Sequence, residues 1–292
     1  MTETARLIFD SQCQLGEGPV WHDGLQQLFF FDINEQTLFA VTADGEVANS
    51  WLFNETVSAL AIVDNDMLVL VTDSGLKEFD IATGGMNRLN EIERDKPGTR
   101  GNDSRVHPSG AFWIGTMDRT ADEAEIGALY HYRAGDLTTL KSPVRIPNAT
   151  CFSPDGKTAY WTDTPTQKIM KIATDPATGL PIGEWTLFAD VSDGPGYPDG
   201  AVVDSEGFLW NARWGGSCVV RHAPDGSVDR VIKVPVSQVT CPAFGGKDLK
   251  TLFITTAAKN LSDEQLAAEK HAGSLFAIDL DIAGLPEARI IL

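Results

Sequence analysis

The chain has 292 residues, of which 42% are hydrophobic and 22% are charged, and its formal net charge is -18. Its length and composition are those of a globular protein with enough residues for a large core. The charge argues against a nucleic acid or an anionic membrane surface as partner, because both bind basic faces, and it favours attraction of a cation.

The sequence carries no recognisable targeting or membrane signal. Its first residues, MTETARLIFDSQ, lack the basic and apolar regions of a signal peptide, and no stretch approaches ~18 consecutive apolar residues. Four widely separated cysteines without a CxxC pair favour reduced, buried thiols over a disulfide framework: Cys13, Cys151, Cys218 and Cys241. We therefore expect a cytoplasmic protein that does not enter a membrane.

In chain order, six units each contain a turn followed by a short run rich in β-branched and aromatic residues. The turns are HDG, DND, HPSG, SPDG, DSEG and GGKD, and the runs are LFFFDI, MLVLVTD, AFWIGTM, TAYWTDT, FLWNARW and TLFITTA. A second such run follows each of these: TLFAVT, LKEFDI, ALYHYR, IMKIAT, VVRHAP and SLFAID. This composition, bounded by Gly, Asp, Asn or Pro, predicts pairs of strands joined by tight hairpins.

The spacing of the turns predicts the architecture. Gly110 and Gly156 are 46 residues apart, and Gly156 and Gly207 are 51 apart. Six all-β units of this period predict a six-bladed β-propeller of four-stranded antiparallel blades, with residues 1–292 as one domain. A solenoid is the structural alternative. Tryptophan-rich middle strands and the sixfold count favour closure, with a terminal segment, ARLIF or ARIIL, completing the last blade.

Two segments depart from the repeat. Residues 174–197 are expected to form an extended connection in the fourth blade. Residues 260–272 are expected to contain a short surface helix, which Ser262 caps and Gln265 completes as a capping box.

Polar residues recur at one position of the repeat when the hairpin glycine serves as a reference. Asn102, Asn148 and Asp199 each stand eight residues before Gly110, Gly156 and Gly207, and Glu17 stands seven before Gly24. The other two units offer only Val57 or Ser58, and Thr240, near this offset. The innermost strand of each blade lines the channel, so we expect the four side chains to form a ring of oxygen donors there.

Such a ring indicates a divalent cation. Glu17, Asn148 and Asp199 offer the oxygen ligands that these ions prefer, and few protein ligands leave positions open for water and substrate. The alternative for each residue alone is a polar cap on an inner strand. Arg100 lies two residues before Asn102, on the same strand face, and so is expected beside the site; the alternative is a salt bridge to Asp103.

Other residues give weaker signals. The five histidines form no HxH or HExxH pair, and three lie at or near hairpin turns, so we expect surface residues. No GxSxG elbow or P-loop occurs. Asp32 and Asp163, at the ends of middle strands, are expected to be hydrogen-bonding partners within their blades. Four tryptophans are expected between blades, the last alternatively in the channel: Trp113, Trp161, Trp210 and Trp214.

Five segments together resemble the SMP-30/gluconolactonase/luciferin-regenerating-enzyme family. They are LGEGPVW, RGNDSRVHPSGAFWIGTM, IPNATCFSPDGKTAYWTDT, YPDGAVVDSEGFLWNARWGG and CPAFGGKDLKTLFITTA, and the resemblance spans about residues 8 to 280. It implies a six-bladed propeller with a divalent cation in its channel. It also implies hydrolysis of a sugar lactone to the aldonic acid, and bacterial aldonolactonases look most similar.

The resemblance also implies roles for individual residues. The metal ligands fall on Glu17, Asn148 and Asp199, and the residues that contact substrate fall on Arg100 and Asn102. Apart from the resemblance, we expect Asp199 to act as the general base, since it could both contact the cation and accept a proton. The segment after Met117 departs from the family pattern, which has an acidic substrate contact in some members. Its replacement here would be Asp118 or Glu123.

The function expected from the sequence is metal-dependent hydrolysis of an aldonolactone, such as a glucono-, galactono-, xylono- or arabinonolactone. The cation would be Ca²⁺ or Zn²⁺, with Mn²⁺, Mg²⁺ and Fe²⁺ as alternatives. One alternative function is an esterase or phosphotriesterase-like hydrolase on the same site. The other is a propeller that binds calcium or a ligand without catalysis.

Overall fold

Six β-sheets surround a central channel in the computed structural model, which describes residues 3–120 and 122–292. The innermost strand of each sheet contacts the innermost strand of the next, and the sixth contacts the first, so the ring is closed. The predicted six-bladed propeller is therefore confirmed and the solenoid is wrong.

The strands follow one another from the channel outwards in each blade. In chain order they are β1 (Glu3–Thr4), β2 (Arg6–Phe9), β3 (Gly16–His22), β4 (Gln27–Asp32), β5 (Thr37–Thr42), β6 (Val47–Leu52), β7 (Val57–Ile62), β8 (Met67–Thr72), β9 (Gly75–Asp80), β10 (Met86–Asn90), β11 (Thr99–Val106), β12 (Phe112–Asp118), β13 (Gly127–Arg133), β14 (Asp136–Val144), β15 (Pro147–Phe152), β16 (Thr158–Asp163), β17 (Lys168–Thr174), β18 (Pro181–Asp190), β19 (Tyr197–Val203), β20 (Leu209–Trp214), β21 (Cys218–His222), β22 (Val228–Lys233), β23 (Val239–Gly245), β24 (Thr251–Thr256) and β25 (Leu275–Asp279).

The ends of the chain join different parts of the ring. Strands β3–β6, β7–β10, β11–β14, β15–β18 and β19–β22 form blades 1 to 5. Blade 6 consists of β23, β24, β25 and β2, so the N-terminal segment ARLIF completes it, as one of the two alternatives predicted. Strand β1 adds to the outer edge of blade 5, where it pairs in parallel with β22.

The other terminal segment crosses one end of the channel. Residues 283–291, named here the strap, hydrogen-bond to inner-strand or hairpin backbone in blades 2, 3, 5 and 6, and Arg289 pairs with Asp23 of blade 1. Glu287 forms an ion pair with Arg105 of β11, and both side chains are largely buried. The strap therefore covers the end of the channel where the inner hairpins turn.

The hydrophobic core lies mainly between neighbouring blades. Trp113, Trp161 and Trp210 are buried in these layers, whereas Trp214 is only partly buried and lines the channel mouth. The predicted position between blades is thus correct for the first three tryptophans, and the alternative position at the channel is correct for Trp214. All four cysteines are buried and unpaired, which confirms the prediction of reduced thiols.

The two departures from the repeat differ in outcome. Residues 181–190 form β18, the outer strand of blade 4, so ten residues of the expected connection belong to the blade itself. The short helix is confirmed as α1 (Asp263–Ala268), with the reciprocal hydrogen bonds of a capping box between Ser262 and Gln265. No helix among residues 3–120 and 122–292 is long and apolar enough to cross a membrane.

The expected surface position of the histidines is wrong for four of the five. Their imidazoles are buried, and three of them cross to a neighbouring blade. His22 Nε2 lies 2.9 Å from the Asp64 carbonyl oxygen, His107 Nε2 lies 2.9 Å from that of Gly156, and His131 Nε2 lies 2.8 Å from that of Thr178. Polar side chains near hairpins serve here as links between blades.

Candidate active site

All six inner strands contain a β-bulge or register shift near the same level. In four of them the shift includes or directly follows a residue predicted for the site: Glu17 in β3, Asn102 in β11, Asn148 in β15 and Asp199 in β19. A bulge re-aims the side chains beside it. The regular alternation of a strand is therefore interrupted where these side chains line the channel.

One cavity of about 500 Å³ contains all five predicted site residues in its wall. They are Glu17, Arg100, Asn102, Asn148 and Asp199. This volume falls within the ~300–1,000 Å³ typical of small-molecule sites. The cavity lies at the end of the channel where the inner strands begin, opposite the strap.

Glu17 stands between two glycines for steric reasons. A Cβ atom at position 16 would lie 2.5 Å from the carbonyl oxygen of Thr256, and one at position 18 would lie 2.8 Å from that of Ser58. Gly18 also has a φ of 57°, which residues with side chains rarely adopt. Its N–H donates to Glu17 Oε2 at 2.9 Å, so the turn itself holds the carboxylate.

A chain of hydrogen bonds joins the amides of blades 3 and 4. Asn102 Nδ2 donates to Asn148 Oδ1 at 3.0 Å and to the carbonyl oxygen of Pro147 at 2.9 Å. Asn148 Nδ2 donates to the Thr164 hydroxyl at 2.9 Å, and that hydroxyl donates to the carbonyl oxygen of Pro198 at 2.8 Å. Both amides are thereby oriented, and Asn148 Oδ1 retains a lone pair for a further partner.

Arg100 does not pair with Asp103, contrary to one alternative. Its Nη1 donates to Asn102 Oδ1 at 2.9 Å and to the Gly101 carbonyl at 2.7 Å, which leaves other guanidinium donors for a ligand. The Asp103 carboxylate accepts from the N–H of Thr150 at 2.6 Å. Asp103 therefore links two inner strands instead of serving as the partner of Arg100.

The carboxylates of the site lie in an unfavourable electrostatic environment. Burial raises the pKa of Glu17, and the nearby charge of Asp103 raises it further. The pKa of Asp199 is raised well above its usual value by burial and then by the charge of Glu17. Burial likewise raises the pKa of Asp103 to about 6. A positive ligand would relieve this repulsion.

The donor set fits a divalent cation. Two buried carboxylates and one oriented carboxamide oxygen suit ions that prefer oxygen ligands. Among the described residues, no group of three or more His, Cys, Asp or Glu side chains is placed to hold a metal, so a cation would depend on the amide of Asn148. Few protein ligands leave room for water and substrate.

The segment after Met117 contributes one acid to the cavity. Glu123 is in its wall, whereas Asp118 is not. The Asp118 carboxylate accepts hydrogen bonds from the N–H groups of Thr120 and Ala124, at 2.8 and 2.9 Å, and so shapes the loop. Of the two residues predicted as an acidic contact, Glu123 alone is positioned to meet a ligand in this cavity.

Several cavity residues were not foreseen from the sequence. Thr164 and Gln238 meet the site through hydrogen bonds between distant segments, and Lys259 follows β24 on a loop. Tyr197, also not foreseen, is 49% exposed at the mouth, where it is the cross-strand partner of Trp214, for which the channel was the predicted alternative. No sequence motif marks these positions. Thr164 and Lys259 do, however, lie in the loops that follow the middle strands β16 and β24, and polar residues in such loops could have been considered as site candidates.

Asp32 and Asp163 have the predicted structural role. Asp32 accepts from the N–H groups of Gln14 and Leu15, at 2.8 and 3.1 Å, and Asp163 accepts from those of Arg145 and Ile146, at 3.1 and 2.9 Å. Each carboxylate thus braces the segment that leads into the inner strand of its blade, just before Glu17 or Asn148.

The chain is similar to sugar lactonases and to a calcium-binding propeller. It is 37% identical to an L-arabinolactonase of Azospirillum brasilense, over 98% of this chain and 95% of that protein. It is 33% identical to a pentonolactonase of Haloferax volcanii, over 98% of both. A crystal structure of regucalcin from Agrobacterium tumefaciens, described as a calcium-binding protein, superposes with a TM-score of 0.96 at 37% identity, over 100% of both chains.

The family model described as the SMP-30/gluconolactonase/LRE-like region matches residues 15–258, which include every residue predicted for the site. This match covers most of the chain and agrees with the relatives and with the fold. The protein therefore belongs to the SMP-30/gluconolactonase/LRE-like family.

Proposed function

We propose that the protein is a metal-dependent lactonase that opens the ring of a sugar lactone by addition of water and releases the aldonic acid. The observation that carries this is the single cavity in which two buried carboxylates, two carboxamides and an arginine meet. Relatives named as an arabinolactonase and a pentonolactonase, each aligned over nearly the whole chain, support the reaction type.

Glu17, Asn148 and Asp199 would hold the cation. When bound, it would polarise the lactone carbonyl as a Lewis acid and offset negative charge that develops on that oxygen. Ca²⁺ and Zn²⁺ are the first candidates, and a neighbour described as calcium-binding supports Ca²⁺. Mn²⁺, Mg²⁺ and Fe²⁺ also accept such oxygen ligands.

The other steps belong to side chains of the protein. Asp199, in the cavity wall among the proposed cation ligands, removes a proton from the attacking water. Arg100 has free N–H donors with which to hold the sugar hydroxyls or the ring oxygen. Asn102, fixed by Pro147 and Asn148, orients the substrate beside them. A lactone is an activated ester, so no covalent nucleophile is required.

A second candidate is binding of calcium without catalysis. The superposed regucalcin structure, described as a calcium-binding protein, is the observation that favours it. The same cavity would serve, with water in place of substrate.

One experiment separates the two. Purified protein is mixed with divalent cation and a panel of pentono- and hexonolactones, and proton release is followed with a pH indicator. A lactonase releases protons above the spontaneous rate, and a chelator abolishes the excess. If no lactone in the panel is hydrolysed with any of the five cations, while calcium still binds by calorimetry, the protein is a calcium-binding propeller.

A further inference from the structure

Two aromatic side chains lie beside each other at the mouth of the cavity. Tyr197 is the first residue of β19, Trp214 is the last residue of β20, and the two are direct cross-strand partners. Side chains of such partners in an antiparallel pair point to the same face of the sheet and lie close together. Both residues line the cavity, and the pair is named here the aromatic wall.

The backbone that carries the aromatic wall is held on both sides. Trp214 forms an antiparallel β-bridge with Gln238, which lies just before the inner strand of blade 6. On the other side, a Cβ atom at Gly196 would lie 2.3 Å from the Trp214 carbonyl oxygen, and Gly196 has a φ of 61°. Glycine therefore lets the chain that leads to Tyr197 pass directly against Trp214. The two rings thus belong to the rigid part of the propeller.

Packing within the protein does not use the whole surface of these rings. Trp214 is only partly buried, and it packs against the hydrophobic cluster that includes Leu15 and Ala257. Tyr197 is 49% exposed. Aromatic surface that lines a cavity together with a few polar groups is typical of a small-molecule site. The aromatic wall therefore offers a ligand an apolar surface that the fold leaves uncovered.

The aromatic wall lies one level outside the proposed cation ligands. Tyr197 precedes Asp199 by two residues in β19, which corresponds to about 6–7 Å along a strand. Arg100 precedes Asn102 by the same two residues in β11 of blade 3, and it also lines the cavity. A lactone whose carbonyl oxygen meets the cation would therefore extend outwards between Arg100 and the aromatic wall.

These two sides of the cavity match the two kinds of surface on a sugar ring. Hydroxyl groups at the edge of the ring form hydrogen bonds with guanidinium and amide groups. The C–H groups on its faces carry partial positive charge, and the face of an aromatic ring carries partial negative charge, so the two surfaces attract each other and also exclude water. A hydroxyl that projects from the stacked face would separate the rings and lose its own hydration.

Resting on the proposed lactonase activity, we propose that Tyr197 and Trp214 determine which stereoisomers of a sugar lactone the protein accepts. One face of the lactone ring stacks on the aromatic wall while hydroxyl groups at its edge bind Arg100 and Asn102. Lactones with a hydroxyl group projecting from the stacked face are disfavoured. The aromatic wall binds and orients the ring, and the hydrolysis itself belongs to the groups around the cation.

The first test compares kcat/KM for 1,5-lactones that differ only in the face from which a hydroxyl group projects. Gluconolactone and xylonolactone have equatorial ring hydroxyls alone. Mannono-, galactono-, lyxono- and L-arabinonolactone carry one axial hydroxyl on one ring face, and allono- and ribonolactone carry one on the opposite face. We expect an axial hydroxyl on one of the two faces to lower kcat/KM about 3–10-fold, the size of one aromatic contact, and an axial hydroxyl on the other face to have a smaller effect. Equal penalties for both faces, or none, would contradict the inference.

Variants then assign the preference to the aromatic wall. Trp214→Leu and Tyr197→Leu should each reduce the discrimination between the two faces about 3–10-fold. Tyr197→Phe should retain it, because the ring and not the hydroxyl group makes the contact. Trp185→Leu is the matched control, since Trp185 is a partly buried aromatic residue of β18 that contacts Trp113 and Trp161 in blades 3 and 4.

Sugar lactams of the same configurations provide a readout without turnover, because the protein's water cannot readily open an amide ring. Calorimetry in the presence of Ca²⁺ should show that Trp214→Leu weakens binding of the gluconolactam about 3–10-fold and leaves the affinity for Ca²⁺ unchanged. If Trp214→Leu instead lowers kcat/KM equally for every stereoisomer, the role of Trp214 is structural, the inference is wrong and the lactonase proposal stands. If no lactone is hydrolysed while lactams still bind with a preference for one face, the lactonase proposal fails and the binding role of the aromatic wall stands.

Discussion

Two neighbours, Asn102 and Thr164, orient the side chain of Asn148. The Thr164 hydroxyl donates to the Pro198 carbonyl and can therefore only accept from Asn148 Nδ2. This fixes which end of the amide is oxygen and which is nitrogen, a choice that the heavy-atom shape of the group does not make. Thr164 is in this sense a positioning residue for a cation ligand.

Replacing Thr164 tests this role. Thr164→Val keeps the shape of the side chain but removes the hydroxyl, so the Asn148 amide loses one of the two hydrogen bonds that orient its oxygen. We expect the affinity for the divalent cation to fall about 10–100-fold, as is typical when such outer partners are lost. Competition with a chelating dye measures it, and Thr164→Ser should retain the affinity. Equal affinities for all three proteins would mean that Asn148 does not bind the cation through this arrangement.

Asp199 combines two proposed roles that a substitution can separate. Asp199→Asn keeps one oxygen donor but removes the basic site, so the rate should fall ~10²–10⁴-fold and stay low at saturating cation. Asn148→Ala loses a ligand only, so excess cation should partly restore its activity. Rates measured across a cation titration compare the two variants. Full recovery of Asp199→Asn would make it a ligand alone, with Glu17 the next candidate for the base.

At the scale of the strand, the bulges of the inner strands prepare the site. A regular strand alternates its side chains, whereas each inner strand interrupts that alternation near the cavity. Gly18, with its φ of 57°, and Ala149, with a φ of 54°, directly follow the proposed ligands Glu17 and Asn148. The backbone conformation at the bulges thus directs the oxygen donors of the proposed ligands into the cavity. Packing of the blades against one another keeps that backbone conformation in place.

The strap secures the opposite end of the channel through its buried ion pair. Glu287→Ala would remove the ion-pair partner of the largely buried Arg105 guanidinium, and loss of one partner of a buried pair costs about 3–5 kcal/mol. We expect a corresponding loss in the free energy of unfolding, measured with denaturant. Lys157→Ala, which breaks the exposed pair with Asp155, should change stability by less than ~1 kcal/mol. If both variants lost a similar amount of free energy of unfolding, the ion pair of the strap would contribute no more to stability than an exposed ion pair does.

For the whole molecule, stability and cation binding are expected to be separable. The six sheets and the layers between them supply the core, while the proposed cation ligands face the cavity. A chelator should therefore abolish lactone hydrolysis without loss of the β-sheet signal in far-ultraviolet circular dichroism. Collapse of that signal together with activity would mean that the ion holds the blades together.

Acid sensitivity of the fold is expected to depend on its buried histidines. Burial lowers the pKa of His222 from 6.5 to about 4, so the unfolded chain binds a proton before the folded one does. Above pH 6.5 His222 is neutral in both states, and its contribution to the free energy of unfolding is fully present. As the pH falls from 6.5 towards 4, the unfolded chain takes up the proton first, and the free energy of unfolding decreases by roughly 3 kcal/mol in total. Unfolding of His222→Gln should vary less with pH across that window. An identical pH dependence would mean that His222 is not buried in its neutral form.

Much of the architecture and of the site is determined locally. Strand runs, turn glycines and the repeat period depend on neighbouring residues, and they were sufficient to predict six blades. The offset of seven or eight residues from the hairpin glycine likewise predicted that Glu17, Asn102, Asn148 and Asp199 meet, and all four line one cavity, because similar positions of a closed repeat meet at its axis. The hydrogen-bonding role of Asp32 and Asp163 within their blades could likewise be predicted from their positions at the ends of middle strands.

The tertiary structure alone decided which distant residues meet. Thr164, Gln238 and Lys259 join the cavity through loops whose positions depend on packing across blades, and no motif records such contacts. The buried histidines were missed because an imidazole near a turn looks solvated until the neighbouring blade supplies its partner. The C-terminal segment had an apolar pattern compatible with an outer strand. In the structure the N-terminal strand β2 occupies the edge of blade 6, and the C-terminal segment crosses the end of the channel instead.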